Sequence, residues 1–138
     1  MPFGSGVPAG VPGQLAKHLR YASKASQRLA RRLFHAMAVN GPKLEREQVL
    51  LGRFVEIGAE LFAIVATCSR ATAIAKTAAD AERDEVMQLA DYFCASARIR
   101  IERNFDGLST NTDRKGYKLA QTVLKNSIKP LEEGIVRD

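Results

Sequence analysis

Two histidines, two cysteines and several close pairs of carboxylates are the side chains of this 138-residue chain with the types that chemistry needs. His18 and His35 fall on different faces of one predicted helix, so they cannot share a metal ion, and each reads as a surface histidine. Cys68 and Cys94 sit in apolar stretches, without a CxxC spacing or a histidine neighbour. They read as two buried, reduced thiols of a cytoplasmic protein, and a single disulfide between them is also compatible with the sequence. The acid pairs Glu45/Glu47 and Asp84/Glu85 lie at predicted helix starts, where they complement the helix dipole, and Glu132/Glu133 lies in the C-terminal tail. Glu56 and Glu60, one turn apart beside an apolar seam, read as structural partners of Arg53 or of an arginine on the third helix. No GxGxxG, P-loop, nucleophile elbow or HExxH motif is present. No catalytic, cofactor-binding or metal-ligating residue is therefore assigned.

Charge is more informative when split along the chain. The formal net charge is +6, yet residues 1–44 hold seven Lys/Arg and no acid, while the remainder is close to neutral. The excess belongs to one segment. Lys17, Arg20, Lys24, Arg28, Arg31 and Arg32 form a basic stripe opposite an apolar one and are the candidate contact for an anionic surface. Such a helix can simply pack its apolar side on a bundle and solvate its charges. It can also lie in an anionic bilayer interface. Nucleic acid ranks below both, because Tyr21 and Phe34 do not form a stacking platform and no helix-turn-helix spacing is evident.

The elements that would position these groups are helical. Seven of the fifteen Gly and Pro fall in residues 1–13, which read as a flexible leader, and a linker at the very start points to something preceding it. From Gln14 to Val39, Leu15, Leu19, Ala22, Ser26, Leu29, Leu33 and Met37 share one face, and Asn40-Gly41-Pro42 ends that helix. From Leu44 to about Thr77, Leu50, Phe54, Ile57, Leu61, Ile64, Cys68, Ala71 and Ala75 form a four-three-four seam. That helix is apolar nearly all round between Leu61 and Cys68, which predicts a central position. A third helix is expected over Asp80–Asn104, capped by Asp80, with Val86, Leu89, Phe93, Ala97 and Ile101 inward and a loop beginning at Asp106-Gly107. A fourth is expected from a Thr112 cap to about Ser127, with Tyr117, Ala120, Val123, Leu124 and Ile128 inward and Pro130 ending it. The expectation is an all-α, antiparallel bundle of about four helices over residues 14–129, with a tail over 130–138. No apolar run approaches the ~20 residues of a membrane span, and no secretory signal fits.

The stretches Glu47-Gln48-Val49-Leu50-Leu51-Gly52-Arg53, Gly58-Ala59-Glu60-Leu61-Phe62-Ala63 and Cys68-Ser69-Arg70-Ala71 resemble the C-terminal helical domain of very-long-chain acyl-CoA dehydrogenases. The polar linker, the acidic helix start, Tyr92-Phe93-Cys94 and Ala97-Arg98-Ile99-Arg100 continue the likeness, which covers roughly Leu15 to Val123. The resemblance implies an accessory domain without activity of its own. In that family an FAD-containing dehydrogenase core precedes the domain and carries the catalytic glutamate, the flavin site and the acyl-CoA pocket. None of those segments is in this sequence. The resemblance further implies packing on the core, participation in a dimeric arrangement and peripheral association with the inner membrane, with which the basic helix is compatible. Three origins stay open: a truncated product, an excised domain, or a stand-alone relative that works with a separate core.

Overall fold

The computed structural model describes residues 7–125 and 133. The described chain folds into α1 (Gly13–Asn40), a short 3-10 helix (Gly41–Arg46), α2 (Gln48–Ala75), α3 (Asp80–Ser109) and α4 (Asp113–Leu124), with no strand among the described residues. The all-α class with four helices is as the periodicity predicts. The expected Pro130 stop lies outside the described residues, as do Ile128 and the 130–138 tail apart from Glu133. Gly41, at φ +53°, and Pro42 break the backbone after α1. The predicted long second helix accordingly starts later, after a 3-10 turn.

The seam of α2 is the spine of the core. Phe54, Ile57, Leu61, Ile64, Cys68, Ala71 and Ala75 are all buried, as their spacing predicts. Against them α3 buries Met87, Ala90, Cys94, Ala97, Ile101 and Phe105. That face differs from the predicted one: Ala97 and Ile101 are shared, whereas Leu89 is 72% exposed and Val86 and Phe93 are only partly buried. Small side chains turn inward because α2 and α3 pack closely, with Cys68 Sγ and Cys94 Sγ 3.8 Å apart. A larger residue at position 90 or 94 would hold the helices apart.

Helix α3 also runs through Asp106-Gly107, where a loop was expected. Phe105 is fully buried and Leu108 packs on the core. Their burial outweighs the ~1 kcal/mol that a glycine costs a helix. Gly107 also lies against the guanidinium of Arg53, whose flexible end would have to shift for a Cβ there, 2.6 Å from Nη1. Neither Asp80 nor Thr112 makes a side-chain cap bond; Ala79 occupies the N-cap of α3, and at α4 the Asp113 N–H donates instead to Asn111 Oδ1.

Helix α1 packs on both partners through Leu15, Ala16, His18, Ala22, Ala25 and Ala36. Leu19 and Leu29 are half-buried as expected, but Met37 is 53% exposed. Val11, from the end of the leader, packs against the core. Contacts follow the chain in opposite senses between α2 and α3 (Glu60 with Arg100, Cys68 with Cys94) and in the same sense between α1 and α3 (His18 with Asp91, Arg32 with Ser109).

The largest departure concerns α4, which buries no residue. Tyr117, Ala120, Val123 and Leu124, expected inward, are exposed. The described part of α4 is twelve residues long and is anchored at its first residue, where Arg53 pairs with Asp113 at 2.9 Å.

In urea unfolding, Ile101→Ala should cost about 2–5 kcal/mol, and Ala97→Leu about 1–3 kcal/mol by overpacking the α2–α3 contact. Leu89→Ala should stay within about 0.5 kcal/mol.

Candidate functional site

The densest polar arrangement lies along the contact between α1 and α3. His18, whose side chain is only 2% exposed, donates from Nε2 to Asp91 Oδ1 at 2.7 Å. Its Nδ1 faces Arg98 Nη1 at 3.5 Å. A carboxylate only accepts and a guanidinium only donates, so this pairing places the proton on Nε2 and leaves Nδ1 as acceptor. Lys17 Nζ reaches the same Asp91 oxygen at 3.1 Å. The bond from His18, then that from Lys17, holds the Asp91 carboxyl below the usual carboxylate range.

About three turns further along α3, Tyr21 Oη donates to Glu102 Oε1 at 2.8 Å and Arg28 reaches Glu102 Oε2 at 2.9 Å. Burial alone would push the Glu102 carboxyl up. The bonds from Arg28 and Tyr21 outweigh it and keep Glu102 below its ordinary value. Burial, and then the bond to that carboxylate, push the Tyr21 phenol up. Guanidinium planes cover the aromatic rings: Arg28 sits 3.9 Å from the Phe105 centroid and Arg98 4.3 Å from that of Tyr21.

These groups line one groove. A histidine hydrogen-bonded to an aspartate is the base-and-orienter half of a nucleophilic triad. Here the free nitrogen points at Arg98, and Tyr21, which carries the one hydroxyl lining the groove, is committed to Glu102. Among the described residues every buried side-chain nitrogen and oxygen has a partner. The arrangement does registry work: charges fix how α1 lies on α3. Among the described residues no cluster of His, Cys, Asp or Glu could hold a metal ion. Cys68 and Cys94 are both fully buried free thiols, and the contact with Cys68 and burial push the Cys94 thiol up.

The basic stripe is divided by this geometry. Lys17 and Arg28 pair with α3 carboxylates and Arg32 donates to Ser109 Oγ at 2.7 Å, while Arg20, Lys24 and Arg31 are exposed. His35 is exposed as expected; His18 is not. Its burial was readable from the three-four-three spacing of Leu15, His18, Ala22 and Ala25, which a stripe drawn through leucines alone passes over. Glu60 pairs with Arg100 at 2.6 Å, the third-helix arginine role the sequence suggests. Asp91 and Glu102 carry no sequence signal, because their partners lie more than seventy residues away.

What this fold and groove define is a helical packing domain in which His18, Tyr21, Asp91 and Glu102 join α1 to α3. Residues 14–131 match the family model of the ACAD9/ACADV C-terminal domain, and the chain belongs to that family. It is 46% identical over 124 residues to the proteins named "Probable acyl-CoA dehydrogenase FadE10" of Mycobacterium tuberculosis (strain H37Rv) and of Mycobacterium bovis, matching 90% of this chain and 19% of theirs. The chain thus spans about a fifth of the length of these relatives. No solved structure matches it.

Asp91 and Glu102 both titrate below their unfolded-state values. Their pairs therefore stabilise the fold fully above those values, near pH 4, and lose that contribution as the pH falls through the lower folded values. Thermal melts across acidic pH should show Asp91→Asn and Glu102→Gln less stable than the parent at pH 7, with the gap closing toward pH 2. A gap that stays constant would show that these carboxylates do not supply the acid sensitivity.

Proposed function

We propose that this chain is the accessory helical domain of an FAD-dependent fatty acyl-CoA dehydrogenase, supporting assembly of the enzyme and its dimeric arrangement while having no activity alone. The observation that carries the reading is the match of nearly the whole chain to a fifth of each FadE10 relative, within a family defined as a C-terminal domain. The structure is consistent with that division of labour. In the open groove between α1 and α3, His18 and Lys17 bond to Asp91, and Tyr21 bonds to Glu102. In this reading flavin, catalytic base and acyl-CoA pocket belong to the dehydrogenase portion. Replacing the matched segment of M. tuberculosis FadE10 with residues 14–131 should give a flavoprotein that still oxidises acyl-CoA. The 138-residue chain by itself should purify colourless and inactive. A chimera that neither holds flavin nor turns over would overturn the reading.

A second reading, peripheral contact with the cytoplasmic face of the inner membrane, draws support from α4. Among the described residues no helix is long and apolar enough to cross a membrane. On α4, Tyr117, Leu119, Ala120, Val123 and Leu124 occupy one arc and Arg114, Lys115 and Lys118 the other, with Lys125 just past the helix end, all exposed. That pattern suits a helix lying in an anionic interface, and Arg20, Lys24 and Arg31 add exposed charge on α1. Co-sedimentation with phosphatidylglycerol-rich vesicles should fall about 100-fold when Arg114, Lys115 and Lys118 are all changed to Glu, at ~1 kcal/mol per charge. A smaller loss is expected for Arg20→Glu, Lys24→Glu, Arg31→Glu. Equal binding by all three proteins would remove the membrane from the account.

A further inference from the structure

Helix α2 carries two parallel stripes. One is the buried seam of the core. The other is Val55, Ala59, Phe62, Ala66, Ser69 and Ala73, which repeats the same four-three-four spacing, is exposed at every position and contains no charge. Val55 is 69% and Phe62 76% exposed. Beside this stripe, Ala66 of α2 and Val86, Leu89 and Phe93 of α3 line a mainly apolar groove, with Arg70 and Thr67 also on its wall.

A helix bordering water ordinarily places its charges on the water side. An uncharged stripe at heptad spacing, small residues alternating with one large aromatic, is instead the surface that receives another helix: the alanines admit close approach and Phe62 supplies the knob. Glu56 and the Glu60–Arg100 pair flank it on one side and Arg70 on the other, so charge rings the stripe without entering it. Its occupant is indicated by length. In the FadE10 relatives about four-fifths of the chain lies outside the matched segment, and that segment belongs to a C-terminal domain family, so a large folded portion precedes it. We propose that the second stripe of α2 is the seat of the dehydrogenase portion, received as a helix against Phe62, Ala66 and Leu89. This proposal rests on the accessory-domain reading above.

The test introduces Ala66→Cys into the 138-residue chain and into the FadE10 chimera, and follows maleimide labelling of that position by peptide mass spectrometry. Cys68 and Cys94, both fully buried, should label slowly in either protein. Position 66 should label at least ~10-fold more slowly in the chimera than in the isolated chain, and adding Phe62→Glu should restore fast labelling. Equal labelling in a flavin-bearing, active chimera would overturn the placement while the accessory-domain reading stands. Protection that appears in the isolated chain as its concentration rises would assign the stripe to a second copy and overturn the proposed partner. A chimera without flavin would overturn both.

Discussion

The close approach of α2 and α3 is the constraint on which the rest of this domain is built. Cys68, Ala71 and Ala75 on one helix meet Ala90, Cys94 and Ala97 on the other, with the two sulfurs 3.8 Å apart. Side chains this small leave no room for error in spacing, because interiors are packed to near-crystalline density. The larger residues, Ile57, Ile64, Ile101 and Phe105, fill the core around this contact. Once α2 and α3 are fixed, α1 has one place to lie, and its alanines at positions 22 and 25 let it settle there.

The two contacts of α1 and α3 with their neighbours are of different kinds. Between α2 and α3 the interaction is apolar and shape-determined. Between α1 and α3 a row of polar contacts is added to the apolar ones: His18 with Asp91, Arg28 with Glu102, Arg32 with Ser109, and arginines laid over Tyr21 and Phe105. Exposed ion pairs contribute little stability each, but a ladder of them admits only one sliding position of the two helices. That is why half of the basic stripe is structural, and why His18, Tyr21, Asp91 and Glu102, the buried and half-buried titratable groups of the groove, are held by one another and by their basic neighbours.

Much of the fold was legible in the sequence because burial on α2 follows a strict repeat, and every buried residue of that helix was named by it. Legibility fell where the inward residues were small. On α3 the eye follows Val86, Leu89 and Phe93, whereas the packing demanded Met87, Ala90 and Cys94. On α4 the amphipathic pattern was real, but a pattern does not say what an apolar face meets, and here nothing within the described chain covers it. The polar groove was illegible for another reason: Tyr21 and Glu102 are 81 residues apart, and only the fold brings them together. The family, by contrast, was readable from helix-packing stretches that contain no catalytic residue at all.

The short connection between α2 and α3, only Lys76 to Ala79, has a consequence for the order in which this domain comes together and apart. Two helices joined so closely and sharing the apolar spine can form as a hairpin from contacts near in sequence, at little cost in loop entropy. Helix α1 must then be added across a polar boundary whose partners lie more than seventy residues away. Its departure exposes charges that water receives well, but also uncovers the core residues that Leu15, Ala22 and Ala25 pack against. The domain is in this sense a clasp of two helices with a third latched on by apolar contact and charge together, and partial opening begins at the latch.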